Sequence, residues 1–202
     1  MRDEQLPDRR RLPRHLRPQR EVSNEFAYAI RPVEPADAGD VREIYNYYVR
    51  NTVVTFDEKT WTIAKWREKI LYLRGRGLPF LVAHTPGGQV LGFALVEPMS
   101  AKAAYRFSVE SSVYLGAAAT GKGLGRALML DLLAACEAAG IRQVVAIITD
   151  RGADASIALH ERLGFVEIGR MGRVGYKFGR AIGVVHLQKT LKPPRRSLFG
   201  RR

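Results

Sequence analysis

Glycines stand at every second position in Gly121-Lys122-Gly123-Leu124-Gly125-Arg126, between an apolar segment ending at Leu115 and a long helix-forming stretch. Strand, tight turn and helix is the physical reading of that order. Glycine lets the backbone turn and approach a ligand with no Cβ in the way, and the first N–H groups of the helix are left to point at an anion. The chemistry on offer is a phosphate cradle, with Lys122 and Arg126 to add charge. A second feature lies upstream. Glu110 is the one charged residue in Phe107-Ser108-Val109-Glu110-Ser111-Ser112-Val113. A carboxylate there is costly unless it faces a polar cleft, and a partly desolvated carboxylate with raised proton affinity suits a general base.

Spacing narrows the cradle. A dinucleotide fingerprint counted from Gly121 requires glycine where Arg126 stands. A nucleoside-triphosphate loop comes closer, since Gly116 and Gly121-Lys122 have its spacing and Val144–Thr149 with Asp150 imitates its second strand. That template requires Ser or Thr at the next position to hold Mg²⁺, and Gly123 occupies it.

The elements that must position these groups follow the hydrophobic period. Phe26–Pro32 reads as a strand, and Asp37 as the N-cap of a helix to about Asn51 with Val41, Ile44, Tyr45 and Tyr48 at helical spacing. Thr52–Phe56 is a connector too apolar for ordinary surface loop, and a second helix covers about Thr62–Leu73. Phe80–His84 and Gln89–Val96 flank the turn Thr85-Pro86-Gly87-Gly88 as a hairpin, and Tyr105–Leu115 is a further strand. Then come a mostly buried helix over about Leu124–Ala139, a strand at Gln143–Thr149, a helix at Ala155–Leu163, and strands at Phe165–Arg170 and Val184–Leu191. A mixed sheet flanked by helices, an α/β three-layer fold, is the expectation.

Composition bounds the rest. A chain of 202 residues with 46% hydrophobic composition can bury one substantial core. No apolar run reaches the roughly 18 residues of a membrane span. Neither a signal peptide nor an ordinary transit peptide is indicated, because the Arg-rich start has no apolar region and carries Asp3, Glu4 and Asp8. The single cysteine, Cys136, excludes a disulfide framework and a cysteine-based metal site, reads as a packed hydrophobe among Leu132, Leu133 and Ala135, and points to a cytoplasmic compartment. No metal is expected. Much of the formal charge of +13 sits at the ends: six Arg lie between Arg9 and Arg20, and residues 192–202 carry five cations. Residues 1–25 and 192–202 therefore read as disordered tails around one domain, 26–191, with contact to nucleic acid by the tails the lesser reading.

Several stretches in order resemble one branch of the GNAT superfamily of N-acetyltransferases, the phosphinothricin and methionine sulfone/sulfoximine enzymes. They are Ile30-Arg31-Pro32 with Ala36-Asp37, Ile44-Tyr45-Asn46 with Phe56, Val109–Leu115, the glycine loop, Leu159–Phe165, and Val174–Arg180. The resemblance implies a GNAT-type α/β/α fold with a central mixed, mostly antiparallel sheet. It implies acetyl-CoA as co-substrate, a small amino-acid-like amine as acceptor, and a homodimer. It makes Glu110 the general base and His160 the proton donor to the leaving thiolate. Cofactor contacts fall to Val113, Tyr114 and Leu115 through their backbone, to the loop from Gly121 through Lys122, Gly123, Leu124 and Gly125 to Arg126, and to Ser156. Substrate contacts fall to Phe56, Lys102 and Tyr105. The chain departs from the branch at Thr120 (Gln or Arg), Ala153 (Asn), Lys102 (Arg), Ala181 (Trp) and Gly183 (Asp), and the last two imply a roomier, less polar pocket. Two alternatives stay open: an acetyltransferase of a basic protein, favoured by the Arg-rich ends, and a non-catalytic acetyl-CoA-binding regulator, favoured by Thr120 and Ala153.

Overall fold

The computed structural model describes residues 26–192; the expected tails, apart from Lys192, lie outside the described residues. Among the described residues seven strands form one sheet: β1 (Ala29–Pro32), β2 (Phe80–His84), β3 (Val90–Pro98), β4 (Ser108–Leu115), β5 (Gln143–Thr149), β6 (Val166–Lys177) and β7 (Arg180–Thr190). The spatial order is β1-β2-β3-β4-β5-β7-β6. Every neighbouring pair is antiparallel except β4 and β5, which are parallel. The crossover from β4 to β5 is α3 (Leu124–Ala138). Helices α1 (Ala38–Asn51) and α2 (Ile63–Gly75) cover one face of the sheet, with Val41, Tyr45, Trp66, Ile70 and Leu73 buried against Phe80, Val82 and Phe93. On the other face, α3 buries Leu124, Leu128, Met129, Leu132 and Cys136, and α4 (Asp154–Arg162) lies beside it. The expected mixed, mostly antiparallel α/β/α architecture is what forms.

The β2–β3 hairpin turns where expected, with Gly88 N–H donating to Thr85 O at 2.9 Å. Cys136 is fully buried, and burial pushes its thiol up to about 12, as a packed hydrophobe requires. Asp37 stands at the N-cap of α1 as expected, but its side chain makes no cap bond to the helix: its carboxylate accepts from both terminal nitrogens of Arg31 at 2.8 Å and from Glu34 N–H at 2.8 Å instead. Two expectations are corrected. Tyr105 is not in a strand; it closes a 3-10 turn, Ala103–Tyr105, and β4 starts at Ser108. Finally, β6 and β7 are longer than expected and form a hairpin turning at Phe178 and Gly179, both with positive φ (52° and 71°). The glycines and exposed side chains of β6 hide its period of two.

Candidate active site

The sheet opens in its middle. β4 pairs with β3 along its whole length to Leu115↔Gly92, but its parallel ladder with β5 covers only Ser108–Ser111 against Gln143–Ala146. Among the described residues, past that point Ile147–Thr149 pair with β7 alone, and the edge of Ser112–Leu115 that faces β5 has no strand partner. A cavity of about 40 Å³ lies in the gap, lined by Ser112, Val113, Ile147, Ser156 and His160 and reached by Val54 of the α1–α2 connector. Alternation fixes what β4 shows to each side. Val113 and Leu115 pack toward the α3 core, while Tyr114 enters the aromatic cluster of Tyr45, Tyr48 and Phe93 at centroid distances of 5.1–5.3 Å. Burial drives the Tyr114 phenol far above its ordinary range, so it stays protonated. Tyr48 donates its hydroxyl to Leu115 O at 2.8 Å and holds the end of the strand. The backbone of these residues therefore faces the cleft while their side chains serve the cores.

The glycine loop follows directly. Gly121 and Gly123 have φ of 73° and 79°, and Gly123 is the N-cap of α3. A Cβ at either would meet nothing within 4 Å, so backbone conformation and not space calls for glycine there. Among the described residues, no backbone N–H from Gly121 to Arg126 donates to a backbone or side-chain acceptor, so six donors gather at one helix start. Leu124 is fully buried and offers only its N–H. The Lys122 ammonium sits 4.5 Å from the Phe26 ring centroid, and Arg126 is exposed. Thr120 is exposed and donates its hydroxyl back to Ala117 O at 2.9 Å. A Cβ on Gly125 would lie 3.4 Å from Leu115 and 3.5 Å from Leu159, so the loop is packed against the end of β4 and the residue before His160.

His160 lies on α4, one turn after Ser156. It is 2% exposed, and its Nδ1 stands 2.8 Å from Ser156 O. A carbonyl only accepts, so Nδ1 carries the proton. Burial lowers the imidazole pKa, the ring is neutral, and Nε2 is left as a buried lone pair with no partner among the described residues. Ala153 is the N-cap of this helix and supplies no side-chain cap.

Glu110 points to the opposite face of β4, the face of Ser112 and Tyr114. Burial pushes its carboxyl above the usual range, Glu97 pushes it further, and Lys69 opposes both. Elsewhere, Lys102 and Tyr105 line a recess of about 260 Å³ with Arg76, Arg106 and Ser108, while Phe56 lies in the α1–α2 connector against Gly175. The recess thus brings Lys102 and Tyr105 together but does not include Phe56. A Cβ on Gly175 would meet the Phe56 ring at 2.3 Å, so glycine is required for that contact. The space at Gly183 is not empty either. Asp150 Oδ1 accepts Gly183 N–H at 3.0 Å, and a Cβ on Gly183 would sit 2.5 Å from Asp150 Oδ2, so a carboxylate just past the end of β5 stands where a roomier, less polar wall was expected.

Sequence reasoning missed Lys177. Its side chain is 2% exposed, and its ammonium donates to Thr55 O at 2.7 Å, tying β6 to the connector that carries Val54 and Phe56. The only signal was its place inside the Val174–Arg180 stretch. Lys177→Met removes the donor and leaves a buried carbonyl unpaired, at a cost of about 1–3 kcal/mol. The expected result is a thermal midpoint lower by roughly 2–10 °C and a raised KM for the acceptor; an unchanged midpoint in calorimetry counts against the tie.

Comparison with known proteins places this geometry. The profile of the Acetyltransferase (GNAT) family matches residues 39–165. The chain is 38% identical over 165 residues to phosphinothricin N-acetyltransferase of Alcaligenes faecalis, covering 82% of this chain and 83% of that one. It is 39% identical over 168 residues to the L-methionine sulfoximine/L-methionine sulfone acetyltransferase of Pseudomonas paraeruginosa, covering 83% and 96%. A crystal structure of a phosphinothricin acetyltransferase from Sinorhizobium meliloti in complex with acetyl-CoA is similar with a TM-score of 0.78 and 36% identity, over 85% of this chain and 95% of that one. With the opened sheet and the loop of free amides in the matched region, the chain belongs to the acetyltransferase (GNAT) family.

Proposed function

We propose that this protein transfers the acetyl group of acetyl-CoA to the primary amine of a small amino-acid-like substrate of the phosphinothricin or methionine sulfoximine type. The observation that carries the reading is the opening between β4 and β5, with six free amides packed at one end and His160, its buried Nε2 unpartnered, among the residues lining it. The names of the relatives supply the acceptor class. The residues present fit the co-substrate: the amides of Gly121–Arg126 suit a pyrophosphate, the free edge of Ser112–Leu115 a strand-like arm, and Ser156 and His160 the thioester end. Bound there, acetyl-CoA supplies an activated acyl carbon. Glu110 takes a proton from the substrate ammonium, directly or through a water, so that the nitrogen has a lone pair for attack. His160 begins neutral. It accepts at Nε2 a proton that the attacking nitrogen sheds, and returns it to the departing sulfur while Ser156 O holds Nδ1.

The test is a panel of amines, including phosphinothricin, methionine sulfoximine, ordinary amino acids and a basic protein, with acetyl-CoA and free-thiol release as readout, on wild type and His160→Asn. The expected result is thiol release with the small amino-acid-like amines, slowed by His160→Asn, which can neither accept nor return the proton. Acetyl-CoA binding with no transfer to any acceptor would leave a regulator, and faster transfer to the basic protein would overturn the acceptor class.

We further propose that the working form is a cytoplasmic homodimer. β6 is an edge strand exposing Val166, Ile168, Met171, Val174 and Tyr176, with Phe178 exposed in the turn after it, an apolar edge of the kind that marks an association surface. Sedimentation is expected to give twice the chain mass, reduced to one chain by Tyr176→Glu; a monomeric wild type rejects the dimer. No helix among the described residues is long and apolar enough to cross a membrane.

A further inference from the structure

Glu97 and Glu110 stand directly opposite each other in the β3–β4 ladder. Opposed residues of an antiparallel pair share a face with Cβ atoms about 5 Å apart, and like charges there destabilise the sheet. Lys69, on α2, makes the arrangement tolerable. Its ammonium bonds and ion-pairs with the Glu97 carboxylate, and it lies 5.4 Å from the Trp61 ring centroid. Among the described residues the remaining surroundings add no countercharge: β5 places Val145 opposite Glu110, and Tyr114, the same-face titratable group further along β4, keeps its proton. The cluster is therefore two carboxylates and one ammonium. The ammonium is committed to Glu97, so Glu110 faces a fixed negative neighbour without an ion-pair partner of its own.

We propose that Glu97, clamped by Lys69, is a positioning residue for the reaction, a stationary negative charge that makes Glu110 the better proton acceptor. This rests on the reading of Glu110 as the base. At such a separation a like charge favours the protonated form of its neighbour, and an opposite charge does the reverse. The Lys69 clamp does two things. It stops Glu97 from swinging into solvent, and it keeps the cation from bonding Glu110, where it would lower the basicity of the carboxylate.

The two partners have opposite effects, which a role in packing alone would not produce. In Glu97→Gln the repulsive neighbour is gone and Lys69 is free to approach Glu110, so the Glu110 midpoint falls. In Lys69→Gln both carboxylates stand without a countercharge, and the midpoint rises. The experiment is an NMR titration of the full chain labelled with ¹³C-carboxyl glutamate, the Glu110 signal being assigned by its loss in Glu110→Gln, alongside kcat/KM for acetyl transfer against pH. The expected result is a midpoint and an acid limb that move together, on the order of half a pH unit or more, downward for Glu97→Gln and upward for Lys69→Gln. Coincident midpoints in all three proteins overturn the proposal. A midpoint that moves while the acid limb stays overturns the part of Glu110 as base, and the rate effect of Glu97 with it, while leaving the charge coupling in place. Should Lys69→Gln fail to fold, Glu97→Gln, whose wild-type side chain is 43% exposed, decides alone.

Discussion

Glu110→Gln is expected to lower kcat on the order of 10²-fold or more while leaving the KM for acetyl-CoA near that of the wild type. The amide keeps the size of the side chain and its seat on β4 but cannot take a proton. The sign of the pH dependence follows from the surroundings: burial and Glu97 raise the carboxyl pKa above its ordinary value. A base works deprotonated, so wild-type kcat/KM falls as pH drops through that raised pKa, and the variant lacks this limb. Stability moves the other way. A carboxylate whose pKa rises on folding is bound to its proton more tightly in the folded chain, so it favours the fold at low pH and costs stability as pH climbs from the unfolded value through the folded one. At pH 8 the neutral amide removes that cost, and calorimetry should find the variant at least as stable as the wild type. A slow and equally stable protein is the signature of a catalytic carboxylate. An unaltered rate removes Glu110 from the mechanism, and a rate loss accompanied by a lowered thermal midpoint assigns it to packing.

Gly123→Val should act at the other end of the site, raising the KM for acetyl-CoA on the order of 10- to 100-fold. Gly123 is the N-cap of α3 with φ of 79°. The left-handed region costs an ordinary L-residue about 1–2 kcal/mol and a β-branched one more. The variant therefore relieves strain by moving the turn, and the amides of Gly121–Arg126 lose their common aim. Because nothing lies within 4 Å of a Cβ built at Gly123, the effect is conformational and not a clash, and Gly123→Ala should show a smaller change of the same kind. Isothermal calorimetry with coenzyme A measures it directly. Equal affinity in wild type and valine variant would mean that the diphosphate docks elsewhere.

Local spacing carried much of the architecture. The glycine loop announced itself because its constraint is short-range: the positive φ of Gly121 and Gly123 is a property of consecutive residues, and so is the apolar period of α3. The connector Thr52–Phe56 was too apolar for solvent, and the fold shows why: Thr55 is buried under Lys177, and Val54 reaches the cleft. The β6–β7 hairpin was cut short because its outer face carries exposed apolar residues and glycines instead of an alternating pattern. Tyr105 reads as strand in sequence because its aromatic side chain is strand-like in composition, while a 3-10 turn breaks the chain before Ser108.

By itself, the order of residues determined that an amide-lined turn precedes a buried helix, that a lone carboxylate sits in the strand before it, and that the whole follows the pattern of one acetyltransferase branch. Those features depend on neighbours a few positions apart, which any reader of the chain can count. Only the tertiary structure decided that β4 and β5 part after Ser111, that His160 offers a lone pair and not a proton, that Asp150 fills the space beside Gly183, and that Glu97 stands across from Glu110 under Lys69. The strand parting, the Asp150 contact and the Glu97–Glu110 pairing turn on register between segments distant in sequence, where a shift of one residue would have turned the same side chains to the opposite face, and the His160 lone pair turns on burial that sets its pairing with Ser156 O.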